Sequence, residues 1–397
     1  MKKIIVLGAG MVGSAMAIDL VKKHKVLLTD IDNNVLNKVK NKCNDLEVKT
    51  LDVTDKDKLI SEIIKHDLVL SAVPGFLGYK TLETIIESKV NVVDISFFPE
   101  NSLDLNEKAK LNNVTAIVDC GVAPGMDNVI LGYYNEKYKL TDFDCIVGGL
   151  PKVKKWPFCY KAPFSPIDVI EEYTRPARYV ESGKIITRDA LTDSEFVEFD
   201  KIGTLESFNS DGLRSIIYTM SHIPNMKEKT LRYPGHIEYI KVLKESGFFD
   251  DDSIEVNGTQ VSKLDFTSKI LFKQWKLEEN EEEFTVMRVS LKGLDKDGKE
   301  VSIEYDLYDE YCKQTNTSSM ARTTGYTATA AVNIVLENLF TEKGVFPPEL
   351  VGKYENCFNY FFDYLKERNI IYKCKFSSSA NSIETEKSNK KPYMVLD

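Results

Sequence analysis

The residues best suited to chemistry stand near the start of the chain. Gly8-Ala9-Gly10-Met11-Val12-Gly13 spells GxGxxG, directly after the apolar run at residues 3–7. A dinucleotide pyrophosphate needs this pattern. The first glycine permits a tight turn, and the second lets the phosphates approach the backbone at the positive end of a helix. The third lets helix and strand pack closely. Asp30 closes the next apolar run, where an acid holds the ribose 2′-hydroxyl and repels a 2′-phosphate. Ile31, Asp32 and Asn33 offer no cation beside it. The pattern predicts NAD rather than NADP as cofactor, held by Gly8, Gly10, Met11, Val12, Gly13 and Asp30. Asp52 is a further candidate near the adenine, with a turn cap as the equal alternative.

These residues need a sheet to position them. Strand signals fall at residues 3–7, 26–29, 46–51, 67–72, 90–95 and 115–118. Helix signals fall between them, at 11–23, 33–42, 56–65, 79–88 and 105–111. Alternation of this kind predicts an α/β, doubly wound parallel sheet. Ligands of such sheets lie at the carboxyl ends of the strands. Val73-Pro74-Gly75, Asp94-Ile95-Ser96 and Asp119-Cys120-Gly121 end three strands, so Val73, Pro74, Asp94 and Ser96 are expected to face the nicotinamide. Cys120 reads as a packing residue rather than a nucleophile.

After Gly125 the pattern changes. A helix is expected at 126–138 and a strand at 142–148. Irregular strand-rich segments then run to about residue 310, with hairpin-like stretches at 285–291 and 301–308. Asp295-Lys296-Asp297-Gly298 reads as a hairpin turn rather than a calcium loop. A helix returns at 319–340. The expected organisation is a Rossmann domain at 1–125, an inserted α+β domain at 126–318, C-terminal helices at 319–375 and a loosely ordered polar tail at 376–397.

Composition narrows the partners. The 397 residues carry a formal net charge of −9, which argues against a nucleic-acid footprint. Apolar residues make up 43%, enough for ordinary cores. The seven cysteines are scattered and include no CxxC, and there are four histidines. Neither a disulfide framework nor a metal site is expected. The glycines interrupt the N-terminal apolar run and no other run is long enough to span a bilayer, so no signal peptide or membrane segment is expected, and the chain reads as cytoplasmic.

Several longer motifs resemble the saccharopine dehydrogenase superfamily, and within it the lysine 6-dehydrogenases. They are VPGFLGYK at 73–80, VDCGVAPGMDN at 118–128, VGGLP at 147–151, FSPIDVIEEYTRPARYV at 164–180, LESFNSDGLRS at 205–215, TLRYPGHIE at 230–238 and SMARTTGYT at 319–327. The resemblance implies a Rossmann domain completed by C-terminal helices, an inserted substrate and dimerisation domain, and a homodimer. Glutamate-forming saccharopine dehydrogenases carry an Asn-Arg-Asp-Ser run where this chain has Asn209-Ser210-Asp211-Gly212. That departure turns the expectation towards NAD-dependent oxidative deamination of the ε-amine of L-lysine. Saccharopine dehydrogenase is the alternative, and a non-catalytic NAD-binding sensor is a further one.

Oxidising lysine at its ε-carbon sets three needs: a guanidinium for the α-carboxylate, a proton acceptor for the amine, and controlled access for water. Arg214 and Arg232 are the carboxylate candidates, with Arg175 and Arg322 behind them, and each equally fits a structural ion pair. Asp94, Asp127 and Asp211 are candidates to hold or deprotonate the amine. His236, after Pro234-Gly235, is a candidate proton relay. Tyr160 is a candidate hydrogen-bond donor to substrate. Thr323 and Thr324 are expected at a helix start, close to the nicotinamide.

Overall fold

The computed structural model describes residues 1–278 and 280–378. The first sheet has seven parallel strands: β1 (Lys3–Leu7), β2 (Lys25–Asp30), β3 (Glu47–Thr50), β4 (Leu68–Ser71), β5 (Asn91–Asp94), β6 (Thr115–Ile117) and, much later in the chain, β17 (Gly344–Phe346). Their spatial order is β17-β6-β5-β4-β1-β2-β3. Ile4, Ile5, Val6 and Leu7 are all fully buried, as a central strand covered by helices on both faces requires. The chain reverses its direction of strand addition between β1 and β4, where Ile5 pairs with Val69. A crevice opens at such a switch point, beyond the carboxyl ends of the strands.

The helix Met11–Leu20 packs against the helix Ser319–Leu336. Small residues allow the approach: a Cβ on Gly325 would stand 3.0 Å from Met16 Cγ. Ser318 caps the later helix by accepting the Ala321 amide. Thr323 and Thr324 therefore lie inside it, not at its start.

The second sheet is mixed. Its strands are β7 (Lys139–Pro151), β8 (Ala177–Glu181), β9 (Lys184–Arg188), β10 (Glu195–Phe199), β11 (Gly203–Asn209) and β12 (Asn225–Arg232), followed by β15 (Glu283–Leu294), β16 (Glu300–Glu310) and β18 (Tyr372–Ser378). A separate hairpin, β13 (Ser253–Val256) and β14 (Thr259–Ser262), stands outside it. The main order is β10-β11-β12-β7-β15-β16-β18, with β8 against β12 and β9. β12 and β7 run parallel; the other pairings in this sheet are antiparallel. The turn at 295–298 joins β15 to β16, as expected, with Asp295 Oδ1 accepting the amides of Asp297 and Lys299.

The segment expected to begin the loose tail differs. Residues 376–378 belong to β18, where Phe376 pairs with Ile303. The rest of the expected tail lies outside the described residues. The helix after β4 also starts earlier than the sequence suggests, at Gly75, because Pro74 supplies a fixed φ at its N-cap. Among the described residues, no helix is long and apolar enough to cross a membrane.

Candidate functional site

A cleft of about 500 Å³ lies at the switch point, between the ends of the first sheet and one face of the second. Gly8 sits at φ 97°, and a Cβ there would meet Ala72 O at 2.5 Å. A Cβ on Gly13 would meet Gly8 O at 2.0 Å. These two glycines let the turn and helix close on the sheet. Gly10 differs: a Cβ there would meet nothing within 4 Å, and the residue faces the cleft. The Met11–Leu20 helix thus presents its amino end to open space, the cradle that a pyrophosphate needs.

Asp30 lines the same end of the cleft. Its carboxylate is aimed by two backbone donors, the Ala9 amide at 2.7 Å and the Asp32 amide at 2.9 Å. Two oxygens with one such bond each keep lone pairs free for sugar hydroxyls. Met11, Val12, Val73, Pro74 and Ser96 also line the cleft.

Other expected cofactor contacts lie elsewhere. Asp52 accepts the Thr54 amide and hydroxyl and caps its turn. Asp94 is fully buried behind Ser96, accepting both the Ser96 amide and hydroxyl. Burial pushes its carboxyl up to about 7. Thr323 points its hydroxyl at Ser319 O inside its helix, and Thr324 takes the place on the cleft expected of it.

The second sheet supplies the opposite wall. Arg232, the last residue of β12, lines the cleft and is held on several sides. It donates to Glu172 Oε2 at 2.6 Å, to the hydroxyls of Tyr173 and Tyr160, and to Leu231 O. Tyr160 therefore supports Arg232 from behind rather than reaching the cleft. His236 lies in the same layer, with one ring nitrogen 2.9 Å from the Tyr173 hydroxyl and the other 2.9 Å from Phe158 O. Burial, aided by the nearby Arg232 charge, lowers its pKa to about 3. A fully committed, neutral imidazole away from the cleft does not suit a proton relay.

Three further candidates have structural partners. Arg214 donates to Asp119 Oδ1 at 2.9 Å and to Phe98 O. It reaches the cleft only through Asp119, which does line it. Asp211 is gripped by Arg178 through both oxygens. Asp127 is fully buried at the start of the helix Met126–Asn135, accepting the Gly125 amide. Oxygens of Asp127 and Glu228 lie with Cys145 Sγ within 4.8 Å of one another. Burial raises Asp127 to about 7 and lifts Glu228 and Cys145 well above their ordinary ranges.

The sequence reading missed Asp168 and Glu172. Both sit on the helix Pro166–Thr174 and both line the cleft. Their i, i+4 spacing places them on one helical face. That spacing, directly after a Ser-Pro helix start, was the available signal. Burial raises the Asp168 carboxyl despite help from Ser165 and the Gly75 amide. Burial also raises Glu172, against the pull of Arg232.

Two family models match this arrangement. Residues 4–117 match the saccharopine dehydrogenase NADP binding domain, and residues 121–371 match the saccharopine dehydrogenase C-terminal domain. The chain belongs to the saccharopine dehydrogenase family. Among curated members, the alpha-aminoadipic semialdehyde synthase of Arabidopsis thaliana is 29% identical over 54% of this chain, which spans 22% of that protein. The NADP(+)-dependent, L-glutamate-forming saccharopine dehydrogenase of Saccharomyces cerevisiae is 25% identical over 64% of the chain and 60% of its own length. The carboxynorspermidine synthase of Vibrio cholerae is 23% identical over 79% of the chain and 80% of its length. The apo structure of the Saccharomyces cerevisiae saccharopine dehydrogenase has the same fold, with a TM-score of 0.77 at 20% identity over 95% of this chain and all of that one.

Proposed function

We propose that the protein is an NAD-dependent dehydrogenase that oxidatively deaminates L-lysine at its ε-carbon, taking up water and releasing ammonia to give the 6-semialdehyde, which cyclises to piperideine-6-carboxylate with loss of water. One observation carries the reading: the charge of the cleft. Among the described residues lining it, the four acids Asp30, Asp119, Asp168 and Glu172 outnumber the single guanidinium, Arg232; Glu172 is paired with Arg232 and Asp119 with Arg214 behind the wall, which leaves Asp30 and Asp168 without a paired cation. Such a cleft favours a substrate rich in amines and poor in carboxylates. Saccharopine, with several carboxylates on one molecule, would ask for more cations.

The same inventory supports NAD. Asp30 is aimed by two amides, and the one cation among the described cleft residues, Arg232, stands on the second sheet and is paired with Glu172. A 2′-phosphate would meet a negative charge with no cation to offset it. A bound nicotinamide supplies the hydride acceptor. Asp168 is the proposed proton acceptor for the substrate amine, because its desolvated carboxyl has a raised proton affinity and stands in the cleft. Ile95, Phe97, Val122, Phe164 and Met320 make the walls that limit water around the reacting carbon.

Saccharopine remains the second reading, favoured by the names of the relatives. The deciding experiment offers lysine and saccharopine with NAD and with NADP, following reduced cofactor. Lysine-dependent reduction of NAD supports the proposal. Turnover of saccharopine alone overturns the substrate, preference for NADP overturns the cofactor, and dinucleotide binding with no turnover of any amino acid supports a sensor.

A further inference from the structure

A second, smaller cavity of about 50 Å³ adjoins the main cleft and shares Phe97, Glu172 and Thr230 with it. At its wall stand two ionisable side chains with unmet hydrogen-bonding capacity. Among the described residues, Arg175 Nη1 and Glu228 Oε2 are both buried without a partner. Buried polar atoms left in this state are uncommon, because each gives up its hydration without a replacement partner.

The surroundings hold both groups in place. Arg175 donates its other terminal nitrogen to Glu171 Oε2 at 3.0 Å and lies over the Phe97 ring, 5.0 Å from its centroid. Glu228 is 4% exposed. A Cβ on the neighbouring Gly212 would stand 2.1 Å from Glu228 Cδ, so only a residue without a side chain leaves room for this carboxyl. The other acids at its wall are already paired: Asp211 with Arg178, Glu171 with Arg175 and Glu172 with Arg232.

We infer that this side cavity binds the zwitterionic head of an α-amino acid, with Arg175 taking the carboxylate and Glu228 the ammonium. A donor with an open N–H and an acceptor with an open oxygen, on one small cavity, are what such a head requires. Its volume admits roughly three to five water-sized groups, about the size of a head group entering from the cleft. Arg232 then serves as a wall of the passage, not as the carboxylate clamp. The inference deepens the lysine reading and rests on it for the identity of the far end of the substrate.

Analogues that each lack one group of lysine test it by calorimetric binding to the full chain. L-norleucine keeps the head and lacks the ε-amine. 1,5-Diaminopentane lacks the carboxylate, and 6-aminohexanoate lacks the α-amine. The unaltered protein should bind lysine at least tenfold more tightly than either headless analogue. Arg175→Ala should weaken norleucine at least tenfold and abolish the preference over 1,5-diaminopentane, and Arg175→Lys should recover part of it. Glu228→Gln should abolish the preference over 6-aminohexanoate. Unchanged norleucine binding in Arg175→Ala overturns the assignment, as does equal binding of lysine and 1,5-diaminopentane by the unaltered protein, which needs no variant to fold. Norleucine binding that depends on Arg175, without lysine turnover, sinks the lysine reading and leaves the head-group site standing.

Discussion

Arg214 and Asp119 form a buried ion pair in which both partners hold left-handed backbone conformations, φ 47° and 52°. Asp119 follows β6 of the first sheet, and Arg214 stands between β11 and β12 of the second. The guanidinium also lies 4.8 Å from the Phe97 ring and donates to Phe98 O. The pair fastens the two walls of the cleft to each other. Removing one charge strands the other in the interior. Arg214→Ala should cost about 3–5 kcal/mol of stability, measured by denaturant unfolding. Full stability with a changed KM for the amino acid alone would mean that Arg214 binds substrate instead.

Asp30→Ala should weaken NADH binding by one to two orders of magnitude, since it removes a charged acceptor for ribose hydroxyls. NADPH should be weakened far less, so the preference between the two narrows or reverses. Fluorescence titration of both dinucleotides reads this directly. An unchanged ratio would show that Asp30 does not choose the cofactor.

The motif glycines should separate affinity from folding. Gly10→Ala adds a methyl where nothing stands within 4 Å, so the melting temperature should hold while dinucleotide affinity falls. Gly13→Ala drives a Cβ to 2.0 Å from Gly8 O and should destabilise the fold itself by about 1–3 kcal/mol. Parallel melting and titration of both variants give the comparison. Equal losses of stability would contradict an open cradle at Gly10.

His236 should leave an acid signature in stability rather than in rate. Its folded pKa is lowered from 6.5 to about 3, so between those values the unfolded chain binds a proton that the folded one does not. Its contribution is therefore complete above pH 6.5 and declines on acidification towards pH 3, by about 1.4 kcal/mol per pH unit at most. Asp94 and Asp127, raised to about 7, slope the other way between about pH 4 and 7. Subtracting the curve for His236→Gln isolates the histidine. A flat difference curve would place the imidazole in contact with water.

Asp168→Asn should lower kcat by about two to four orders of magnitude if its carboxylate takes the amine proton. Asp168→Glu should recover part of the rate. Because burial raises this group, activity should fall as pH drops through a pKa above the usual carboxylate range, and the limb should vanish in the asparagine variant. A normal rate for Asp168→Asn would leave Glu172 or another group as the acceptor.

The first sheet was readable from sequence because central parallel strands are buried on both faces. They appear as short apolar runs cut off by Gly, Asp or Pro. The second sheet was not. Its central strand β7 pairs with β12 and β15, far along the chain, and such partners leave no local mark. β17 has three residues, and β18 is a polar, partly exposed edge strand, so neither carries a strong pattern. The cofactor end of the site was legible because GxGxxG and a strand-end acid are contiguous features. The substrate end was not. Asp168 and Glu172 sit in a charged stretch that reads equally as a solvated helix face, and only the fold turns them towards the cleft; Arg175, in the same stretch, was named as a lesser carboxylate candidate. Arg232 was found, but its neighbours Tyr160, Tyr173 and Glu172 show that much of it is committed to holding its own position.

β17 is supplied to the first sheet, and β18 to the second, only after the chain has finished the main part of each. The polypeptide therefore passes between the lobes three times, before β7, after β16 and before β18. Neither lobe could be produced whole from one contiguous stretch. An amino-terminal piece would expose the flank of β6, and a middle piece would expose β16, each a bare edge inviting aggregation.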